Sequence, residues 1–97
     1  MRIGTSEKMA ASGVVHTGPC ELTGILLSMD GINDVTDLAL YDGLDATGTE
    51  IIPTCPFEAD YKGLNGVVGI SRGCRIGLYL EFVCAGAAEV TVFFRPI

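Results

Sequence analysis

Gly77 to Arg95 reads GLYLEFVCAGAAEVTVFFR. On an extended chain Leu78, Leu80, Phe82 and Cys84 fall on one side, and Tyr79, Glu81 and Val83 on the other. Past Ala85, Gly86, Ala87 and Ala88 the alternation resumes. Val90, Val92 and Phe94 share a side, and Glu89, Thr91, Phe93 and Arg95 share the opposite one. Period-two alternation in β-branched and aromatic residues marks a half-buried strand. Gly86 offers the positive φ that a short loop asks for. The stretch is therefore expected to be a β-hairpin. A lone hairpin is marginal in water, so its apolar side calls for further strands.

The rest of the chain offers five. Ala11–His16 (ASGVVH) is a short strand broken by Thr17, Gly18 and Pro19, because proline cannot join a central ladder. Cys20–Met29 (CELTGILLSM) is the second, and its alternation slips near Gly24, the mark of a bulge or a close backbone approach. The turn DGIND leads to Val35–Tyr41. There Val35, Asp37, Ala39 and Tyr41 share one face and Thr36, Leu38 and Leu40 the other, and Asp37 and Tyr41 make the first face the wetter one. The loop DGLDATGT precedes Glu50–Ile52, which stops at Pro53, and Val67–Ile70 precedes the turn SRGCR. About seven short strands with turns every eight to twelve residues, and no helical period, predict an all-β fold. It is expected to be a small antiparallel β-sandwich or jelly-roll-like barrel. Residues 1–10 have no period and read as an N-terminal arm, either frayed or ordered on a neighbour, and residues 11–97 read as a single β domain.

Composition bears on partners. Charged residues are 19% of the 97 and hydrophobic residues 48%, against about 25% charged in an ordinary soluble domain. A small domain has proportionally more surface to solvate, so this shortage of charge predicts that partner chains cover some of it. A homo-oligomer or a larger assembly is expected. The formal net charge of −6, with six Lys and Arg, argues against nucleic acid and against an anionic membrane surface, since both are held by basic side chains. No stretch reaches the roughly 18 apolar residues of a membrane span. The N-terminus MRIGTSEKMAASG has no apolar core of a signal peptide, and no cleaved leader is expected.

Cys20, Cys55, Cys74 and Cys84 are widely spaced, with no C-x-x-C pair, which is poor zinc spacing. They read as thiols of a reducing compartment, with disulfides as the lesser reading. Cys84 alternates with core residues and reads as a small buried hydrophobe. The one histidine, His16, ends an apolar strand before a Gly-Pro turn and reads as structural. Asp30, Asp34, Asp42 and Asp45 lie in or beside turns, where aspartate bonds the backbone. Calcium could use such turns, but neither DGIND nor DGLDATGT has the spacing of an EF-hand loop. No nucleophile elbow, P-loop or dinucleotide fingerprint occurs. No catalytic residue, metal site or cofactor is expected, and the chain does not read as an enzyme.

Pro53–Gly66 is the longest stretch without a period, and loops of that length tend to bind or cover something. It carries Phe57, Tyr61 and Leu64, which either cap the end of the sandwich or meet a neighbouring subunit. With Phe93 and Arg95 on the less apolar side of the last strand, these are the candidate interface residues.

Two runs carry a resemblance. Gly18–Ile51, GPCELTGILLSMDGINDVTDLALYDGLDATGTEI, resembles small virion structural proteins of tailed bacteriophages. Shared with them are a strand after a Gly-Pro-like turn, an acidic turn, a strand ending in Leu-Tyr-Asp-Gly, and a Gly/Thr loop. GLYLEFVCAGAAEVTVFFR is similar to their closing Gly-Leu-Tyr hairpin. The two runs cover over half of the chain and leave out the first dozen residues and the Pro53–Gly66 loop. The resemblance implies a compact β domain that binds the major capsid protein or other virion proteins, assembled in the host cytoplasm and resident in the virion. It implies a capsid decoration (cement) subunit, or else a neck, tail or fibre component. The competing expectation is a sugar-binding β-sandwich module, which the absence of Trp and the 7% aromatic content disfavour.

Overall fold

The computed structural model describes residues 4–29, 33–54, 56, 63–84 and 86–97, with the backbone alone described at residues 63–65 and 67–69. The described residues form eight strands: β1 (Thr5–Met9), β2 (Gly13–Thr17), β3 (Cys20–Met29), β4 (Val35–Asp42), β5 (Thr49–Ile52), β6 (Gly63–Cys74), β7 (Gly77–Cys84) and β8 (Glu89–Pro96). They make two antiparallel four-stranded sheets, ordered β1-β8-β3-β6 and β2-β7-β4-β5, packed as a sandwich. The pairs β1·β8, β2·β7, β3·β6 and β4·β5 nest one inside the next. The chain is thus one long antiparallel ribbon with its apex between β4 and β5, rolled until β8 meets β3 and β7 meets β4. This is the jelly-roll arrangement, one of the two expected forms, with eight strands instead of seven.

The core lies between the sheets. Leu22 and Leu27 of β3, Val35, Leu38 and Leu40 of β4, Leu78 and Leu80 of β7 and Val90 and Val92 of β8 are almost wholly buried. Burying each such side chain stabilises the fold by about 1.5–3 kcal/mol relative to leaving it in water. No described buried side chain carries an unpartnered polar atom.

Four sequence expectations are corrected here. The arms of GLYLEFVCAGAAEVTVFFR are strands, but they do not pair with each other. β7 bonds to β2 and β4 in one sheet, and β8 bonds to β1 and β3 in the other. A hairpin would have put both apolar stripes on one face of one sheet. Here Leu78, Leu80 and Phe82 look across the sandwich toward Val90, Val92 and Phe94. Periodicity is the same in both cases, and a connection of a few residues can also cross the ~10 Å between packed sheets.

Residues 5–9, read as part of an arm, are an edge strand on β8, with Met9 alone reaching the core. β6 is longer than Val67–Ile70, so residues 63–66 belong to a strand and not to a loop. Val35 lies in the core with Leu38 and Leu40, because the β4·β7 register shifts between Val35 and Asp37 and moves Val35 to the other face. The irregularity expected at Gly24 is present: the register of β3 shifts between Leu22 and Gly24 against both neighbours.

Candidate functional site

One end of the sandwich gathers the β2–β3, β4–β5 and β6–β7 connections and the C-terminus. Its organising residue is Asp42, the last residue of β4. The Asp42 carboxylate accepts hydrogen bonds from the backbone N–H groups of Arg75 (3.0 Å), Ile76 (3.0 Å) and Gly77 (3.4 Å). Partial burial works against its charge, but the three amides and the nearby Arg72 outweigh it and hold the carboxyl below the ordinary 3.8. Further backbone bonds complete the end: Gly18 N–H to Ile76 C=O (2.9 Å), Gly43 N–H to Gly77 C=O (3.2 Å) and Ile97 N–H to Pro19 C=O (3.1 Å). Gly18 sits at φ 102°, where an L side chain is strained, and this lets the β2–β3 turn reach Ile76.

The same end displays Leu44, Ile76 and Ile97, exposed by 46%, 59% and 65%. They are three of the five large hydrophobic residues exposed among the described residues, the others being Val14 and Val83. A Cβ placed on Gly77 would lie 2.9 Å from Leu44 Cδ2, so Leu44 lies over the residue next to Ile76. Backbone hydrogen bonds made by Gly43, Ile76 and Ile97 hold the strand ends and turns that carry these side chains. Sequence reading misses this display because Leu44 is a single apolar residue inside the loop DGLDATGT and Ile76 a single one between the turn SRGCR and Gly77. The available signal was an apolar residue in a turn with no alternating neighbour to bury it.

The residues singled out from the sequence are distributed differently. Phe93 is half-buried on the outer face of the β1-β8-β3-β6 sheet, opposite Ser6 and Gly24. Arg95 is exposed on the same face and tied to Glu21, with Nε 3.0 Å from Oε1. Ser71 also donates to Glu21, and the hydroxyl first and the guanidinium second hold the Glu21 carboxyl below its ordinary range. Phe57 and Tyr61 lie outside the described residues. Leu64 is in β6 opposite Ser28, and its side chain lies outside them.

Among the described residues His16 meets no carboxylate. Its ring lies against the core residue Phe94, with 5.2 Å between ring centroids. Asp45 accepts from the Thr47 amide at 2.9 Å, as a turn aspartate does. Asp30 lies outside the described residues. Among the described residues no group of three or more His, Cys, Asp or Glu is placed to hold a metal ion. Cys84 is half-buried and accepts from the Gly86 amide at 3.4 Å.

A second surface lies on the outer face of the β2-β7-β4-β5 sheet. The register brings Val14, Tyr79, Tyr41 and Glu50 into one row across it, with Tyr41 buried and Tyr79 half-buried, and the rings of Tyr41 and Tyr79 lie 6.4 Å apart at 53°. Glu81 stands beside them, opposite Ala39.

No family model matches the chain, and no curated protein matches it. Among solved structures it is similar to the CBM32 of AlyQ in complex with 4,5-unsaturated mannuronic acid. The identity is 10% and the TM-score 0.40, over 94% of this chain and 76% of that one.

Proposed function

We propose that this protein works without catalysis, as a structural β-sandwich pressed against other proteins, and that its post is a capsid decoration subunit of a phage virion. The observation that supports the contact reading is the loop end with Leu44, Ile76 and Ile97 in solvent, while the virion post rests on the sequence resemblance alone. Exposed apolar side chains at one end of a chain short of charge are costly to leave wet and favourable to cover. The mechanism is burial. A partner chain covers the three side chains, and the Asp42-anchored backbone has little order left to lose on binding, so more of the gain appears as affinity. The outer face with Phe93 and the Glu21–Arg95 pair adds a polar rim of the kind that sets register more than strength.

The test is sedimentation of the chain with and without purified particles. The expected results are self-association of the isolated chain or saturable binding to capsids at hundreds of copies, both reduced by Leu44→Ser with Ile76→Ser. Binding at about six to twelve copies per particle would move the post to neck or tail. A chain that stays monomeric, is very stable alone and binds no particle would overturn the reading.

The Tyr41–Tyr79 row favours a second reading, a sugar-binding module. The half-buried Tyr79 ring, with Glu81 beside it and the buried Tyr41 ring packed against it, offers an apolar face with a hydrogen-bond acceptor at its edge, the combination that carbohydrate sites use. Saturable binding on a glycan array that Tyr79→Ala abolishes would select it. Binding that survives Tyr79→Ala, or no binding, would remove it.

A further inference from the structure

Cys20 opens β3 and Cys74 closes β6, and the two are direct partners across the antiparallel pair. Both are almost wholly buried, and both thiols are free. Their side chains sit within hydrogen-bonding reach of each other. Opposed residues of an antiparallel pair have Cα atoms about 4.5–5.5 Å apart. A disulfide takes Cα separations of roughly 4.4–6.8 Å, so the separation of this register pair falls within its range.

The position matters as much as the spacing. Cys20 follows Gly18 and Pro19, and Cys74 precedes Arg75 and Ile76. These are the two turns that the Gly18–Ile76 backbone bond already joins. We propose that Cys20 and Cys74 form a dithiol–disulfide couple that, when oxidised by a low-molecular-weight disulfide such as oxidised glutathione, staples the apolar loop end shut. This does not depend on which partner the loop end meets.

The exchange balances in two steps. One cysteine thiolate attacks the small disulfide and expels one small thiol, leaving a mixed disulfide. The second cysteine then attacks the protein sulfur of that mixed disulfide and expels the other small thiol. Cys20 and Cys74 together give up two electrons and two protons, and the small disulfide leaves as two thiols.

The closed fold restrains the first step. Burial first, then the neighbouring Cys20 thiol and the Asp42 charge, push the Cys74 thiol up to about 12, and burial raises Cys20 as well. Neither thiolate is at hand until the end opens. Exchange therefore follows opening of the Asp42-anchored turn, and the finished bond prevents that opening.

The experiment uses the full chain carrying Cys55→Ser and Cys84→Ser, incubated with oxidised glutathione and followed by intact mass, peptide mapping and thermal unfolding. The expected product has lost two hydrogens, carries no glutathione, yields one cross-linked peptide joining Cys20 to Cys74, and melts higher until reductant restores the original midpoint. Asp42→Ala in the same background should speed its formation by roughly tenfold, because opening costs less. If the doubly substituted chain fails to fold, mapping of the unsubstituted chain decides, with Cys20–Cys74 as the expected link. Stable glutathione adducts on either cysteine, links from either to Cys55 or Cys84, or a lower midpoint on oxidation would overturn the proposal.

Discussion

The carboxylate of Asp42 holds the backbone amide of Ile76 at 3.0 Å across 34 positions of sequence, and Ile76 is among the most exposed large apolar side chains of the described chain. One residue thus fixes the backbone under a display that solvent alone would not favour. Asp42→Ala leaves three amides without their acceptor. The expected cost is about 1–2 kcal/mol, in the lower part of the range for bonds to a charged group, because these amides lie at the surface where water replaces the acceptor. Denaturant unfolding of the two chains measures it. Asp42→Asn should fall between them, since one amide oxygen still accepts.

The same carboxylate sets an acid limit. Its folded value lies below the unfolded one, so its contribution is fully present above the ordinary 3.8 and is lost as pH falls from there through the folded value. Stability should therefore decline below about pH 4, and in Asp42→Asn the same decline should be shallower. Thermal midpoints taken from pH 6 down to pH 2 check the sign. An identical decline in both chains would assign the acid sensitivity to other carboxylates.

Gly77 is a packing constraint. A Cβ there would lie 2.7 Å from the His16 carbonyl oxygen and 2.9 Å from Leu44 Cδ2. Leu44 can turn away, but the β2 backbone cannot without breaking its pairing with β7. Gly77→Ala is expected to cost about 1–3 kcal/mol, the range for overpacked sites. Chemical denaturation gives the value, and amide exchange of Gly18 should rise with it.

Leu80 is the contrasting case, with its side chain wholly buried between the sheets. Leu80→Ala should cost about 2–5 kcal/mol, which for a chain this small is much of the total stability. Circular dichroism melting should show the transition moved far down or lost. Leu44→Ser combined with Ile76→Ser should leave melting nearly unchanged, since surface substitutions stay within roughly 0.5 kcal/mol. The same pair should reduce association in sedimentation. Separating the two readouts distinguishes a docking surface from a core.

Where alternation is anchored by a buried face, the chain was legible. β3 was read at its observed limits, Cys20 to Met29, together with the slip at Gly24, because leucines on one side of that strand meet the core. β1 was illegible for the opposite reason. Thr5, Ser6, Glu7 and Lys8 are all exposed, so TSEKM carries no apolar stripe, and its pairing with β8 rests on backbone bonds and an exposed Lys8–Glu89 ion pair that alternation does not announce.

Only four of the twelve residues of β6 carry a strand signal, because Gly63, Gly66, Gly69 and Gly73 interrupt its pattern. Pairing was the deepest gap. Val90 and Leu80 are equally apolar whether their strands lie side by side or face to face, and only the whole set of strands decides between them. The loop end was invisible because Asp42, Ile76 and Gly18 come together only when three distant turns meet.

The nested order has a consequence for synthesis. β8 lies between β1 and β3, so β1 has no neighbour in its sheet until β8 has been made. The β4·β5 apex can close as soon as β5 is made, but the β1·β8 seam joins the first and the eighth described strands. Folding is therefore dominated by distant pairings, which form slowly, and for that interval β3 keeps an open flank along the whole line that β8 later occupies.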